Sequence, residues 1–442
     1  MFRNLIPLVA APALLAAQQM PSTSSPGDST FHPISLAEAV KLAQENNVSA
    51  VLAENSVRNA STSVRSAFGQ FLPTLTGSLG QSQSGGQRLG PQGDLVPYTT
   101  TNPWSYSTGL RTSLNLFDGG SRLATYREDK AIVTAQEAAQ TNTKFNLAFQ
   151  VKQTYNQILA AKESEAAGVA QLELANTQLA TTTAKVNAGA ANISDSLRSI
   201  VQVGNAQLAI LTAQNNFRVA SAALTHLVGT RYFVTADLAD TVEKTYAPID
   251  SAAVMTMALN GPQLRQTQAQ LNADQAGVRA SRSSYFPSID LGYNYSGNGF
   301  DKYYGIGSGQ LAYNHTLNLS ASYQIFNGFT REANIERSKV AVDNDQATLR
   351  DQQLTAQQNI VTDIGSLRVA EATLRIQELN VRADEEDLRV VQQRYALGAS
   401  TLLEVQTSQS NLITARQQLI QARLNLRNAR AQIESVIGRD LP

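Results

Sequence analysis

Along the last part of the chain, large apolar residues return at every seventh position: Leu412, Leu419, Leu426 and Ile433. Three places after each stand Ala415, Ala422, Ala429 and Val436, so the pattern is an a/d heptad seam with one bulky track and one mostly small track. Small residues in alternate layers let two helices approach closely while the large ones fill the gaps. The rest of that face is Gln, Arg and Asn, which predicts a surface-lined coiled coil over Thr401 to Gly438. The same two tracks occur far upstream, as Val203, Ile210, Phe217 and Leu224 beside Ala206, Ala213, Ala220 and Leu227.

The correspondence extends outward at one constant offset. Leu227-Val228-Gly229 matches Val436-Ile437-Gly438, and Lys185 to Gly189 matches Arg394 to Gly398. Leu116-Phe117-Asp118-Gly119 matches Ile325-Phe326-Asn327-Gly328. From about Asn115 onward the second half therefore repeats the first, and the chain is a tandem duplication over 35–229 and 251–439, joined by 230–250.

Each repeat predicts the same elements. Ser35, with Glu38 three places on, forms a capping box and starts a helix whose apolar pattern runs to about Ala67 before Pro73 stops it. Its counterpart runs from Ser251 to Ser284 and is ended by Pro287. After each proline the period drops to two. Ile289, Leu291, Tyr293 and Tyr295 alternate with polar or small residues, and so do Leu317, Leu319, Ala321, Tyr323 and Ile325. In the first repeat Leu75 and Leu79 lie in one strand, and Leu110, Thr112, Leu114 and Leu116 in the next. Each repeat thus holds one hairpin, 74–117 or 288–326, with an apolar and a polar face. Strands of roughly 10–14 residues suit a tilted crossing of a bilayer. Tyr98, Trp104, Tyr106, Tyr303, Tyr304 and Tyr313 gather at the loop ends, as an interfacial aromatic belt does.

The longest helical tracts, 121–187 and 330–397, contain no proline. At ~1.5 Å per residue each is on the order of 100 Å long, beyond what one globular core accommodates. The shorter helices 35–67 and 193–228 reach about the same length when stacked end to end. Each repeat is therefore a long rod beside two half-rods, with a hairpin at one end and a glycine turn at the other. The fold class is mainly α with a membrane β portion of four strands. Four strands do not close a barrel, for which about eight are the minimum, and lipid tolerates no open edge. The pattern demands an oligomer that pools strands.

Composition narrows the picture. Lys plus Arg equals Asp plus Glu at 35 each, so no general attraction to nucleic acid is implied. There is no cysteine, which excludes disulfides, thiol catalysis, zinc–thiolate sites and lipid attachment through an N-terminal cysteine. Arg3 followed by the apolar run Leu5 to Ala17 reads as an export signal over 1–17, with a buried N-terminal helix as the alternative. Residues 18–34 read as a loose Ser- and Pro-rich leader. No later segment is apolar enough for a transmembrane helix. His32, His226 and His315 have no Cys, Asp or Glu at ligand spacing, and Gly305 to Gly309 precedes no helix start. No metal, cofactor or catalytic constellation is predicted, and the chain reads as no enzyme. A periplasmic adaptor or a structural coiled coil shares the heptads, but neither explains two amphipathic strand pairs with aromatic ends.

The motifs resemble those of the TolC-like outer-membrane efflux proteins. The matching stretches are Leu36-Ala37-Glu38-Ala39-Val40 with Asn46-Asn47, Phe71-Leu72-Pro73, Tyr285-Phe286-Pro287, Leu116 to Gly120, and the turns Gly189 to Leu197 and Tyr395 to Leu403. The resemblance spans about 33–439 and rests on order, spacing and duplication together. It implies a homotrimer whose chains complete one twelve-stranded barrel in outer-membrane lipid and continue as a helical barrel in the periplasm. It also implies an exit duct of a tripartite efflux or type I secretion system. The partners would be a periplasmic adaptor and an inner-membrane transporter of the RND, ABC or MFS type. The segment 230–250 resembles the family's equatorial insertion. The glycine turns at Gly189 and Gly398, with Tyr395 and Arg394, would lie at the periplasmic tip where the channel closes and meets the adaptor. Asp195 and Glu404 are equivalent in the two repeats, and threefold copying would make them acidic rings that filter charge. The plain alternative is a carboxylate stabilising a helix start. For Tyr395 and Arg394 the plain alternative is a packed aromatic and a solvated charge.

Overall fold

A computed structural model describes residues 31–83, 85–89, 91–97, 104–237, 250–301 and 311–441. The expected signal segment, the leader up to residue 30 and the aromatic positions Tyr98, Tyr303 and Tyr304 lie outside the described residues.

Two rods dominate: α3 (Ser121–Asn187) and α7 (Thr330–Ala396), 67 residues each. Each is followed by a 36-residue helix, α4 (Ile193–Val228) or α8 (Leu402–Ile437). Both pairs end as expected at glycines in the left-handed region, Gly229 and Gly438, where a Cβ is disfavoured. The upper half-rods differ from expectation. Each was expected as one helix, and each is broken into two: α1 (Leu36–Asn46) and α2 (Val48–Gly69), then α5 (Ser251–Ala258) and α6 (Pro262–Arg282). Ser35 caps α1 as predicted, accepting from the Glu38 amide. At the first break Asn47 caps α2 through Ser49 N (2.9 Å), while its Nδ2 donates to Leu227 O (2.9 Å). At the second break Pro262 occupies the first turn of α6. Each break abuts the end of the lower half-rod. A Cβ on Gly229 would stand 3.1 Å from Asn46, and one on Gly438 would stand 2.7 Å from Pro262. The chain breaks where two helix ends must pass, which heptad counting does not register.

The helices lie side by side in one sheet-like layer. Near the strands the neighbours run α2, α3, α6, α7; farther away they run α4, α3, α8, α7. Along the seam positions Ala206, Ala213, Ala220 and Leu224 are buried, as are Leu412, Ala415, Ala422, Leu426 and Ile433. Val203, Ile210, Phe217 and Leu419 are half-buried, because the helices touch at the alanine layers and the bulky side chains fill the flanks. The polar face of α8 is less exposed than its composition suggests. Arg430 is 4% and Gln409 8% exposed, since α8 also packs along α3 of the first repeat.

The strands β2 (Thr74–Gln83), β5 (Trp104–Phe117), β7 (Ser288–Asp301) and β8 (Ala312–Ser322) form one antiparallel sheet in the order β2-β5-β7-β8. Its register aligns the apolar alternation across strands: Leu114 faces Leu291, which faces Leu319, and Thr112 faces Tyr293, which faces Leu317. The other face aligns Ser113, Gly292 and Asn318, and Asn115 donates to Asp290 Oδ1 (2.8 Å). The second hairpin is shorter than expected, ending at Ser322 rather than 326. In the first repeat, Phe117 is held across a bulge by Ile289 of β7, whereas β8 is an edge with no second neighbour among the described residues to carry it further.

Two small additions were not expected. A short hairpin pairs β3 (Gln87–Leu89) with β4 (Leu95–Pro97). The end of the supposed loose leader is ordered: β1 (His32–Ile34) pairs in parallel with β6 (Val234–Ala236) from the linker. Buried Tyr155 of α3 ties both strands down, donating to Ile34 O (3.1 Å) and accepting from Asp237 N (3.0 Å). A core of α3, α4 and α1 apolar side chains around Val151, Ile158 and Leu224 absorbs this pair.

Candidate functional site

The ends of the rods remote from the sheet carry the residues singled out for a gate. Both long helices stop in the same way. The Ala190 amide donates to Lys185 O and the Gly189 amide to Val186 O; Ala399 and Gly398 repeat this onto Arg394 and Tyr395. Gly189 and Gly398 supply the positive φ (72° and 74°) that this double-bonded C-cap requires. After the turn, Asn192 caps α4 and Thr401 caps α8. The geometry produces two blunt helical hairpins.

One aromatic connects them. The Lys185 ammonium of α3 lies 3.7 Å from the centre of the Tyr395 ring of α7 and donates to Tyr395 O at 3.2 Å. Burial raises the Tyr395 pKa and nearby Asp195 raises it further, so the phenol stays protonated and hydrogen-bonds Thr182. Thr182 and Ser199 are buried beneath it, with Ser199 Oγ donating to Asp195 O (3.0 Å). Tyr395 and Asp195, single residues in the sequence reading, are thus brought together with Lys185, Thr182 and Ser199. Arg394 is exposed and folds back onto its own turn, with Nη2 donating to Ala399 O (3.3 Å).

Glu404 is exposed one turn into α8. Its Oε2 accepts from Ser400 Oγ (2.6 Å) and its Oε1 from Thr401 Oγ1 (3.2 Å), while its amide donates to Thr401 Oγ1. These hydroxyl donors, Ser400 first, hold its pKa below the usual carboxylate value, with Arg394 adding to the effect. A helix-start carboxylate and an exposed fixed charge coexist in one residue. Asp195 is half-buried and packed toward Tyr395. Sequence reasoning did not select Lys185 or Ser400. Lys185 did appear opposite Arg394 in the repeat comparison, but nothing in the heptad pattern aims it at Tyr395. Among the described residues, no group of three or more His, Asp or Glu is arranged to hold a metal ion.

The family model described as outer membrane efflux protein matches residues 39–230 and 255–439, both repeats nearly complete. The chain belongs to the outer membrane efflux protein family. Among curated proteins it is 26% identical over 381 residues to the pyoverdine export outer membrane protein OpmQ of Pseudomonas aeruginosa, covering 81% of this chain and 76% of that one. It is 23% identical over 423 residues to protein CyaE of Bordetella pertussis, covering 93% and 86%. Its fold superposes on crystal structures of CusC, described for transmembrane channel formation, with a TM-score of 0.76 at 19% identity, covering 95% of this chain and 96% of that one.

Membership in the outer membrane efflux proteins makes the chain a channel component rather than an enzyme and places it in the outer membrane. The aligned Leu114, Leu291 and Leu319 face has the apolar character that the outer wall of a membrane barrel carries. Trp104, Tyr106 and Tyr313 lie near the strand ends remote from the helices, and Tyr313 stacks on Tyr295 at 5.4 Å.

Proposed function

We propose that three copies of this chain form the exit duct of a tripartite efflux or type I secretion system. One observation carries the assembly: strand directions alternate through β2-β5-β7-β8, leaving β2 and β8 as open, exposed edges. β8 of one copy meets β2 of the next in antiparallel sense, so the sheet closes only by pooling copies. Two copies give eight strands, whose interior side chains fill; three give twelve, which leaves a bore.

The helices support the same ring. Within the chain, α3 packs its second side against α6 and α8 of the other repeat. Applying the repeat relation once more sets α7 against α2 and α4 of a neighbouring copy. The facing surfaces are apolar and uncovered. On α7, Val340, Leu354 and Val361 and then Val369, Ile376 and Val390 are exposed at heptad spacing, with Ala347 and Ala383 between them. On α4, Val201, Leu208, Leu211 and Val219 are exposed. This is a head-to-tail interface that closes into a ring.

In this reading the hairpin ends form the periplasmic tip, which docks on a periplasmic adaptor fed by an inner-membrane transporter of the RND, ABC or MFS type. Glu404 and, less exposed, Asp195 supply negative charge at the entrance. Tyr395 clamped by Lys185 joins the two hairpins of one chain and restrains the tip. The decisive experiment is the mass of the particle extracted by detergent from outer-membrane fractions. A trimer supports the duct; a monomer in solution overturns it.

A further inference from the structure

Two large cavities lie on opposite faces of α3. One, of about 850 Å³, contains Lys152, Tyr155 and Leu159, on the side covered by β1, β6 and α1. The other, of about 870 Å³, runs over Gln157, Ala160, Ser164 and Gln171, between α4 and α8. Ser164 is about two and a half turns from Tyr155 and so faces the opposite way.

Twelve helices in a ring at a spacing of about 10 Å have a radius of roughly 19 Å, and side chains reduce the free radius to roughly 13 Å. An extra layer of strands and helix pointing inward from every copy would fill that bore. The covered face of α3 is therefore the outer one, and the groove between α4 and α8 opens into the duct. This step rests on the duct reading above.

The groove has the chemistry of a binding site rather than a smooth wall. Its floor is small and apolar at Ala160, Ala161, Gly168 and Ala213. Its rims carry the amides of Asn205, Asn216, Gln417 and Gln421. The one cation among its described lining residues, Arg416, is already paired with Glu385 at 2.8 Å. Gln409 lines it, is only 8% exposed, and its Nε2 finds no hydrogen-bond partner among the described residues. Leaving a buried donor orphaned is costly, and a ligand acceptor offsets that cost.

We propose that this groove is a solute-binding station inside the duct, taking uncharged amphipathic molecules that lay a ring or alkyl face on the alanine floor and offer a carbonyl to Gln409. The absence of surplus charge disfavours strongly ionic cargo, and the narrow Ala and Gly floor favours flat groups.

The test uses trimers in planar bilayers and N-acetyltryptophanamide, a soluble neutral probe with a flat ring and two carbonyls. Wild type is expected to show resolved current blockades, and Gln409→Leu to shorten their dwell time by about tenfold. Because the chain has no cysteine, Ser164→Cys offers a single thiol. A charged methanethiosulfonate reagent is expected to lower the current stepwise, more slowly when the probe is present. Channels that conduct normally but show equal dwell times in both proteins overturn the binding station and leave the duct intact. A thiol that reacts in the intact particle without changing the current shows an outward groove suited to a partner's helix, which also overturns it. Absence of any conductance would instead sink the duct reading itself.

Discussion

Replacing Leu354 by glutamate probes the ring directly. Leu354 lies on α7 and is 65% exposed in the single chain. Its equivalent in the first repeat, Phe145, comes within 3.6 Å of where a Cβ on Gly438 would stand. The repeat relation therefore sets Leu354 against Gly229 of the next copy. Burying a leucine side chain fully is worth about 1.5–3 kcal/mol, and roughly two-thirds of that remains to be gained on assembly, about 1–2 kcal/mol per interface. A glutamate there forfeits the gain and adds a desolvation penalty of several kcal/mol. Three interfaces multiply this to on the order of 10 kcal/mol for the ring, while the helix propensity of an exposed site barely changes. The expected product is a helical monomer: wild-type far-ultraviolet circular dichroism with the particle mass reduced to one chain. A trimer recovered at wild-type yield would refute the neighbour contact and the repeat argument behind it.

Three further outcomes follow from named contacts. Glu404→Ala is expected to reduce cation selectivity, measured as a shifted reversal potential under a salt gradient, with assembly intact; wild-type selectivity should persist into acid because Ser400 and Thr401 keep the carboxylate ionised. An unshifted potential would remove Glu404 from the gate. Leu419→Glu, packed against the cluster of Leu388, Val391 and Leu412, is expected to unravel the lower helical barrel by several kcal/mol, read as lost protease resistance. A fully resistant variant would count against the seam. Asp345, on α7, has its pKa raised from 3.8 to about 6 by burial and by sharing a hydrogen bond and like charge with Asp274 of α6. The folded chain thus holds a proton that the unfolded chain releases near pH 4. The stabilisation is full below about pH 4 and is lost as pH rises through about 6. The thermal midpoint should be higher at pH 5 than at pH 7.5, and Asp345→Asn should flatten the difference; an equal slope in both proteins would rule out this pair.

The amino-acid sequence alone determined the duplication, the rods and the strands. Heptads at Leu412 to Ile433, prolines at 73 and 287, and period-two runs after them are local signals, and local physics reads them directly. The glycine turns were legible for the same reason, since positive φ at Gly189 and Gly398 is a property of one residue. Tertiary structure decided the rest. The breaks at Asn47 and Pro262 arise because a helix end from elsewhere in the chain occupies that space. β1 is ordered only because β6 and Tyr155 meet it. Lys185 became part of the tip because α7 delivers Tyr395 to it. The groove between α4 and α8 exists only when both helices flank α3, so no stretch of sequence carries it. Periodicity fixes which face of an element is apolar; which surface then covers that face depends on contacts between residues far apart in the chain, and those are set only when the helices pack.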